Sequence, residues 1–356
     1  MDSGFMIGQA SSGGYIVTLP TGSEQMNRSV CCVGIPGSGK STFLHYMSTR
    51  IVAKGGTVYT FDCGDALNPE QIYQPIRDGF VEHTNDIRLN TKGEGFAANM
   101  LKPLKQRNGD EESLDCVVNE FADCIGVPFK AGAIQMSFLR KAISKAASSG
   151  RIEEEGFRAV VNCLNSFDKK EAKNLAAKVE VLCMARLFDK GGKDLLDGKI
   201  NVFRLSDFAP SIQSQLTEPL LNYLFRLARA GQFIGKDVYI VLDEIQNLPS
   251  GQNSALSRLL SEGRKYGANL IFATQQLGRT GKSVVQERLT YAQVQIFFRP
   301  APQDISQVAG ILRNNCRGEW EHELASLKKG EFIACGGVEV NGKPYFKPLK
   351  VYNKVD

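Results

Sequence analysis

A glycine-rich segment near the N-terminus constrains the fold of this chain more than any other feature. Residues 34–41, Gly-Ile-Pro-Gly-Ser-Gly-Lys-Ser, satisfy the phosphate-loop pattern G-x-x-x-x-G-K-[ST] at every position. Residues 29–33 before the loop have the pattern of a short buried strand, and residues 41–54 after it have the pattern of a helix. The motif therefore lies in the strand, loop and helix order that it needs to bind phosphate.

The chemistry of the motif assigns roles to its residues. Glycines let main-chain N–H groups turn toward the phosphates, and the start of the helix adds a partial positive charge at the same place. We expect Lys40 to contact the β- and γ-phosphates of ATP and the Ser41 hydroxyl to bind Mg²⁺. The residues expected to bind the nucleotide are Gly34, Pro36, Gly37, Ser38, Gly39, Lys40, Ser41 and Thr42.

A second Gly-Lys-Ser occurs at residues 281–283 and serves as a comparison. The full pattern would require glycine at position 276, where the chain has Gln276. We interpret this segment as a basic, glycine-rich surface loop.

Length and composition favour one large α/β domain that carries an insertion. The chain has 356 residues, of which 42% are hydrophobic and 23% charged, which is ordinary for a globular protein. It has no apolar run of transmembrane length and no signal peptide, so we expect a cytoplasmic protein. Any peripheral position at the inner face of the cell membrane would then depend on partner subunits.

The cysteines and histidines argue against a disulfide-rich or zinc-binding protein, and the net charge leaves the type of partner open. The nine cysteines are scattered without a C-x-x-C pair, and the three histidines lack metal-ligand spacing. The sequence therefore predicts neither a disulfide framework nor a zinc site. A net charge of +5 permits an anionic partner without requiring one.

The order of patterns along the chain predicts three regions. Residues 1–105 contain a hairpin over 6–20, the phosphate loop, and a strand over 57–61 that ends at Asp62. Strand signals vanish over 106–195, where apolar residues recur at helical spacing and predict an all-helical insertion. Alternating strand and helix patterns resume over 196–356 and complete a mainly parallel sheet covered by helices.

The helical insertion carries a basic stretch with two interpretations. Between residues 128 and 152 there are five basic residues and no acidic one. The basic residues are Lys130, Arg140, Lys141, Lys145 and Arg151. The stretch is either a surface that faces nucleic acid or a solvated helix face, and the second is the simpler interpretation.

Two strand ends in the last third of the chain carry the remaining catalytic candidates. The apolar run Val238 to Leu242 ends in Asp243 and Glu244. In phosphate-loop enzymes a buried strand delivers such an acid to Mg²⁺, which assigns Asp243, and an adjacent acid can orient the attacking water, which assigns Glu244. The apolar run 269–273 is followed by Gln275, whose amide can contact the γ-phosphate and report its loss.

Arg264 precedes that strand and is a candidate for a charge that acts across a subunit boundary. A single arginine is more often a surface residue. The position of Arg264 alone therefore does not assign it a role between subunits.

These segments together resemble the HerA/FtsK superfamily of ring-forming ATPases, particularly the branch of conjugation and type IV secretion with TraC-like and TraG-like motors. The resemblance runs over nearly the whole chain. It includes VLDEIQNL at 241–248, EGRKYGANLIFATQ at 262–275, and VQIFFRP at 294–300, which we expect to be the last strand. The N-terminal barrel of HerA-like proteins and the membrane helices of TraG-like proteins have no counterpart in the sequence.

The resemblance implies a RecA-like fold, an ATP-hydrolysing homo-oligomer, usually a hexameric ring, and DNA as the polymer that is moved. It makes Arg264 the leading candidate for the charge acting between subunits, with Arg299 second. Secretion or membrane-anchored subunits would be further partners. Two alternatives remain open, a HerA-like translocase in DNA repair and an assembly ATPase of a secretion channel that does not thread DNA. We expect DNA contacts in the loop 278–282, through Arg279 and Lys282, and secondarily around Lys141 and Lys145.

Overall fold

The computed structural model describes residues 4–20, 28–90, 92–249, 251, 254–275, 292–312 and 317–353. These residues form a thirteen-stranded sheet covered by helices on both faces. The strands are β1 (Phe5–Ala10), β2 (Ile16–Leu19), β3 (Val30–Val33), β4 (Thr57–Asp62), β5 (Thr84–Arg88), β6 (Ile200–Arg204), β7 (Val238–Leu242), β8 (Ala268–Thr274), β9 (Val294–Phe297), β10 (Glu331–Gly336), β11 (Val338–Val340), β12 (Lys343–Tyr345) and β13 (Leu349–Tyr352). The helices are α1 (Lys40–Ala53), α2 (Gln74–Glu82), α3 (Leu114–Gly126), α4 (Ala133–Ser148), α5 (Ile152–Glu155), α6 (Arg158–Ser166), α7 (Lys170–Val179), α8 (Pro210–Arg229), α9 (Ala255–Glu262), α10 (Ile305–Ile311) and α11 (Arg317–Ser326).

Parallel strands form the centre of the sheet. Their order is β9-β3-β8-β7-β4-β6-β5, and every neighbouring pair in this half is parallel. Strands β3, β7 and β8 are buried along their whole length because helices cover both faces, which explains their uninterrupted apolar runs. The parallel core expected from the alternating sequence pattern is confirmed.

Antiparallel strands extend the other half of the sheet in the order β10-β13-β1-β2-β11-β12. The sheet thus combines the expected parallel core with an antiparallel half that the sequence patterns did not indicate. The expectation that 294–300 forms the last strand was wrong, because four strands follow β9 in the chain. The outermost strand, β12, is Lys-Pro-Tyr, a composition suited to an edge strand and not to an apolar run.

The two faces of the sheet have separate cores. Helices α1 and α2 pack on one face through residues such as Phe43, Met47 and Phe80. Helices α3 to α11 pack on the opposite face. The helical elements over 114–184 lie within the range 106–195 that the sequence predicts to be helical. They share one hydrophobic cluster with the sheet and do not close a core of their own. The boundaries of the three sequence regions stay a prediction. No helix in the described part of the chain is long and apolar enough to cross a membrane.

A buried ion pair attaches the connection before α3 to helix α8. The Arg226 side chain is 2% exposed and pairs with Glu112, whose side chain is 6% exposed. Arg226 also donates to the carbonyl oxygens of Met100 and Lys102, and Glu112 accepts from the Leu104 N–H at 3.1 Å. Side-chain hydrogen bonds thus hold a segment of irregular backbone against a helix.

We predict that Arg226→Ala lowers the free energy of unfolding by about 3–5 kcal/mol, because it leaves the Glu112 carboxylate buried without its cation. Urea unfolding followed by circular dichroism measures the change. Arg158→Ala is the matched control, since Arg158 and its partner Glu180 have side chains 47% and 57% exposed. Its effect should stay below about 1 kcal/mol. Equal effects of the two substitutions would show that the buried Arg226–Glu112 pair contributes no more to stability than an exposed pair does.

Candidate active site

The phosphate loop is held open by its glycines and tied to the strands beside it. Gly37 and Gly39 have φ angles of +76° and +115°, a region that favours glycine. The Ile35 N–H donates to the Arg299 carbonyl at 2.9 Å, and the Gly34 N–H donates to the Thr274 carbonyl at 3.3 Å. The loop is therefore anchored at the ends of β8 and β9, on both sides of β3.

Lys40 lies inside the loop. The residue is 4% exposed, and its Nζ donates to the Ile35 carbonyl at 3.1 Å. Burial lowers the pKa of Lys40, while the nearby carboxylates of Asp243 and Glu244 oppose that shift. The ammonium group is thus hydrogen-bonded to the loop and attracted by the two acids, at the position where the motif requires it to meet phosphate.

Ser41 and Asp243 are in direct contact. The Ser41 Oγ donates to Asp243 Oδ2 at 2.7 Å, which joins the start of α1 to the end of β7. A hydroxyl and a carboxylate at this distance are hard oxygen ligands, and they fit the preference of Mg²⁺. The two residues assigned separately to the metal therefore lie together.

Glu244 has a left-handed backbone conformation, with φ +53° and ψ +46°. Such a conformation costs about 1–3 kcal/mol for a residue other than glycine and is concentrated at functional sites. Its N–H donates to Asp243 Oδ1 at 2.9 Å. Of the two carboxylates, that of Asp243 accepts the hydrogen bond from Ser41.

The amide of Gln275 binds the Glu244 carboxylate. Gln275 Nε2 donates to one carboxylate oxygen of Glu244, and Gln246 Nε2 donates to the other. Thr274 Oγ1 in turn donates to Gln246 Oε1 at 3.0 Å. The proposed sensor and the proposed water-orienting acid are thus direct partners. Sequence reasoning missed Gln246 and Thr274, whose only signal was their place beside the two strand ends.

A cleft of about 680 Å³ opens beside this contact. It extends from Ser41 and Glu244 to His45, Asp62 and Gln213. Asp62 accepts from Arg204 Nη1 at 2.5 Å through one oxygen, while its other oxygen is buried without a hydrogen-bond partner among the described residues. Burial lowers the pKa of His45 to about 4, so this side chain is neutral at pH 7. The sequence had marked Asp62 only as a strand end.

The two candidate arginines lie at opposite ends of the parallel strands, since Arg299 follows β9 and Arg264 precedes β8. Arg299 is exposed, and its carbonyl binds the phosphate loop itself. Arg264 is exposed in the turn Gly263–Tyr266 before β8. Because β8 has seven residues, Arg264 lies roughly 23 Å along the strand from Gln275. It cannot reach phosphate on its own chain, so its role between subunits stays a prediction.

The expected DNA contacts are only partly within the described residues. The loop 278–282 and Gln276 lie outside them. On α4, Arg140 pairs with Asp123 at 2.9 Å, and Arg151 just after the helix pairs with Glu155 at 2.9 Å. Lys141 and Lys145 are exposed one turn apart. The basic stretch is therefore partly neutralised, which weakens its interpretation as a nucleic-acid surface.

The strand order and the contacts described above define the fold of a phosphate-loop NTPase. No family model matches the chain. In sequence it is 23% identical over 343 residues to the DNA double-strand break repair helicase HerA of Sulfolobus acidocaldarius. The match covers 88% of this chain and 63% of HerA, so the chain spans less than two thirds of that relative.

Solved structures show the same fold. The VirB4 protein of Thermoanaerobacter pseudethanolicus superimposes with a TM-score of 0.71 and 15% identity, covering 99% of this chain and 97% of VirB4. The bacterial conjugative coupling protein TrwB superimposes with a TM-score of 0.60 and 14% identity, covering 98% of this chain and 88% of TrwB. The same protein in complex with ADP and Mg²⁺ gives a TM-score of 0.59 and 13% identity over 98% of this chain and 89% of TrwB. These similarities confirm the resemblance to HerA/FtsK-type ATPases that the sequence motifs indicated.

We predict that Lys40→Ala and Glu244→Gln separate nucleotide binding from turnover. Lys40→Ala should abolish ATP binding and hydrolysis, because the charge that opposes the phosphates is lost. Glu244→Gln should retain binding within a few-fold and lose about 100-fold or more in turnover, because the amide cannot take a proton from water. Titration calorimetry and a phosphate-release assay measure the two quantities. Turnover of Glu244→Gln at the parent rate would exclude the water-orienting role.

Proposed function

We propose that this chain hydrolyses ATP with Mg²⁺ at the site formed by the phosphate loop, Asp243, Glu244 and Gln275. The observation that carries the proposal is the arrangement at the end of β7. Asp243 is bound to Ser41, while Glu244 is held by Gln275. A kinase that passes phosphate to a small metabolite has no need for a second acid that orients water.

The roles of the residues follow from these contacts. Lys40 and the N–H groups of the loop hold the triphosphate, and Ser41 and Asp243 hold Mg²⁺, which neutralises charge on the β- and γ-phosphates. Glu244 orients the water for in-line attack and accepts its proton. Gln275 releases or tightens its bond to Glu244 as the γ-phosphate comes and goes, which transmits the nucleotide state to β8.

We further propose that the chain is the motor of a homo-oligomeric ring, a hexamer by resemblance, that moves DNA in conjugation or type IV secretion. An arrangement in which subunits act on one another is supported by Arg264, which is exposed at the end of β8 that lies away from the phosphate loop. The setting in conjugation is supported by the fold shared with the bacterial conjugative coupling protein TrwB. DNA as the polymer is supported by the sequence similarity to a DNA repair helicase.

The same similarity favours the first alternative, a translocase in DNA repair, since HerA is described as a DNA double-strand break repair helicase. The second alternative is an assembly ATPase that never contacts DNA. Both retain ATP hydrolysis, so only the polymer and the partners distinguish the three. Secretion or membrane-anchored subunits would be partners of the conjugative motor and of the assembly ATPase.

We predict that DNA stimulates ATP turnover and binds with steep salt dependence. A ring that grips the sugar-phosphate backbone releases condensed counterions, so log affinity should fall with log salt at a slope of roughly −0.9 for each phosphate neutralised. Sequence preference should be small, because backbone contacts carry no base information. Fluorescence anisotropy on two unrelated duplexes, with phosphate release at matched DNA concentrations, measures both. An assembled, active chain that shows neither effect would be an assembly ATPase.

We predict that Arg264 acts on nucleotide bound by a neighbouring subunit. Arg264→Ala and Lys40→Ala chains should each be inactive alone, and mixing them should restore part of the activity at interfaces that pair an intact Arg264 with an intact Lys40. Lys265→Ala is the control, since Lys265 is the next residue in the chain and is also an exposed cation. Inactive mixtures in which rings still assemble by native mass spectrometry would exclude the role between subunits.

A further inference from the structure

The C-terminal end of β13 lies at the same sheet edge as the phosphate loop. Strand β13 is antiparallel to β10, and β10 is antiparallel to β9, which is parallel to β3. Strands β13 and β3 therefore run in the same direction. The last residues of β13, ending at Tyr352, lie on the side of β3 opposite to β8 and the two acids.

Gly330 joins this strand end to the loop. It precedes β10, and its N–H donates to the Ser38 carbonyl at 3.1 Å. A Cβ atom on Gly39 would lie 3.1 Å from the Gly330 nitrogen, so the two backbones are in close contact. The Asn353 N–H donates to the Gly330 carbonyl at 3.0 Å, which fixes the end of β13 at this point.

The Tyr352 ring is presented beside Gly330. Its Cε2 lies 3.7 Å from the position that a Cβ of Gly330 would take. The neighbouring Val351 is fully buried, whereas Tyr352 is 47% exposed on the other side of the strand. The Tyr352 ring is thus half exposed to solvent, and Gly330 lies between it and Gly39 of the phosphate loop.

We propose that Tyr352 is the platform on which the base of the nucleotide stacks while its triphosphate occupies the loop. This inference rests on the proposed function. A base presents an apolar face that aromatic side chains bind by stacking, and such stacking does not depend on the hydrogen-bonding edge of the base. Tyr352 therefore selects a nucleoside triphosphate over a bare triphosphate without distinguishing adenine from guanine.

Two probes that differ only in the nucleoside test the platform. We measure binding of the non-hydrolysable ATP analogue AMPPNP and of inorganic tripolyphosphate, each with Mg²⁺, by titration calorimetry of the full chain. Tyr352→Ala should weaken AMPPNP binding roughly 5- to 150-fold, the range of base stacking on an aromatic ring, and leave tripolyphosphate binding unchanged. GMPPNP should lose the same factor as AMPPNP. Tyr352→Phe should retain all affinities, because the ring and not the hydroxyl carries the contact.

The controls separate the platform from the rest of the site. Tyr73→Ala removes a tyrosine that is 51% exposed and outside the loop region, and should change neither affinity. Lys40→Ala should lose both ligands. If Tyr352→Ala binds AMPPNP as the parent does, or loses both ligands by the same factor, the platform is excluded while nucleotide binding stands. If the parent chain binds neither ligand, the proposed function fails and the platform fails with it.

Discussion

The site depends on the parallel alignment of β3, β8 and β7. Parallel neighbours end at the same edge of a sheet, so the loop after β3, the amide after β8 and the acids after β7 meet there. The hydrogen bond from Ser41 to Asp243 spans this edge, since one residue begins the helix after β3 and the other follows β7. The positions of Glu244 and Gln275 follow from the same alignment, because Glu244 is adjacent to Asp243 and Gln275 directly follows β8, the strand between β3 and β7.

Helix α8 connects the cleft beside the phosphate loop with the elements packed on one face of the sheet. Near its start Gln213 donates to the Cys63 carbonyl at 2.8 Å, beside the cleft that contains Asp62. At its middle Glu218 accepts from the Ala255 N–H at 2.6 Å, at the start of α9, and burial raises the pKa of Glu218 to about 6. At its end Arg226 holds the connection to the helical region. One helix thus contacts the cleft, the segment after the acids and the helical region.

Much of the site was accessible from local sequence because its chemistry is local. Three short patterns predict a role without knowledge of the fold. They are the spaced glycines of the phosphate loop, the acid pair after one apolar run and the amide after a second apolar run. The confirmed fold has the parallel core that these runs indicated. The antiparallel half was missed because strands such as β12 are short, polar and defined by their neighbours rather than by their own residues. For the same reason Tyr352 carried no signal, since its place beside the loop depends on the pairing of β10 with β13.

The sequence by itself determined that a complete phosphate-loop motif with its lysine and serine, an acid pair after one apolar run and an amide after another are present, because each belongs to a pattern only a few residues long. It also indicated a helical insertion over 106–195, because the periodicity of apolar residues is local, and helices α3 to α7 lie within that range. Only the tertiary structure decided that Ser41 touches Asp243, that Gln275 holds Glu244, and that the helical region shares its core with the sheet. Those contacts join residues up to about two hundred positions apart, and strand order, which no short pattern encodes, brings them together.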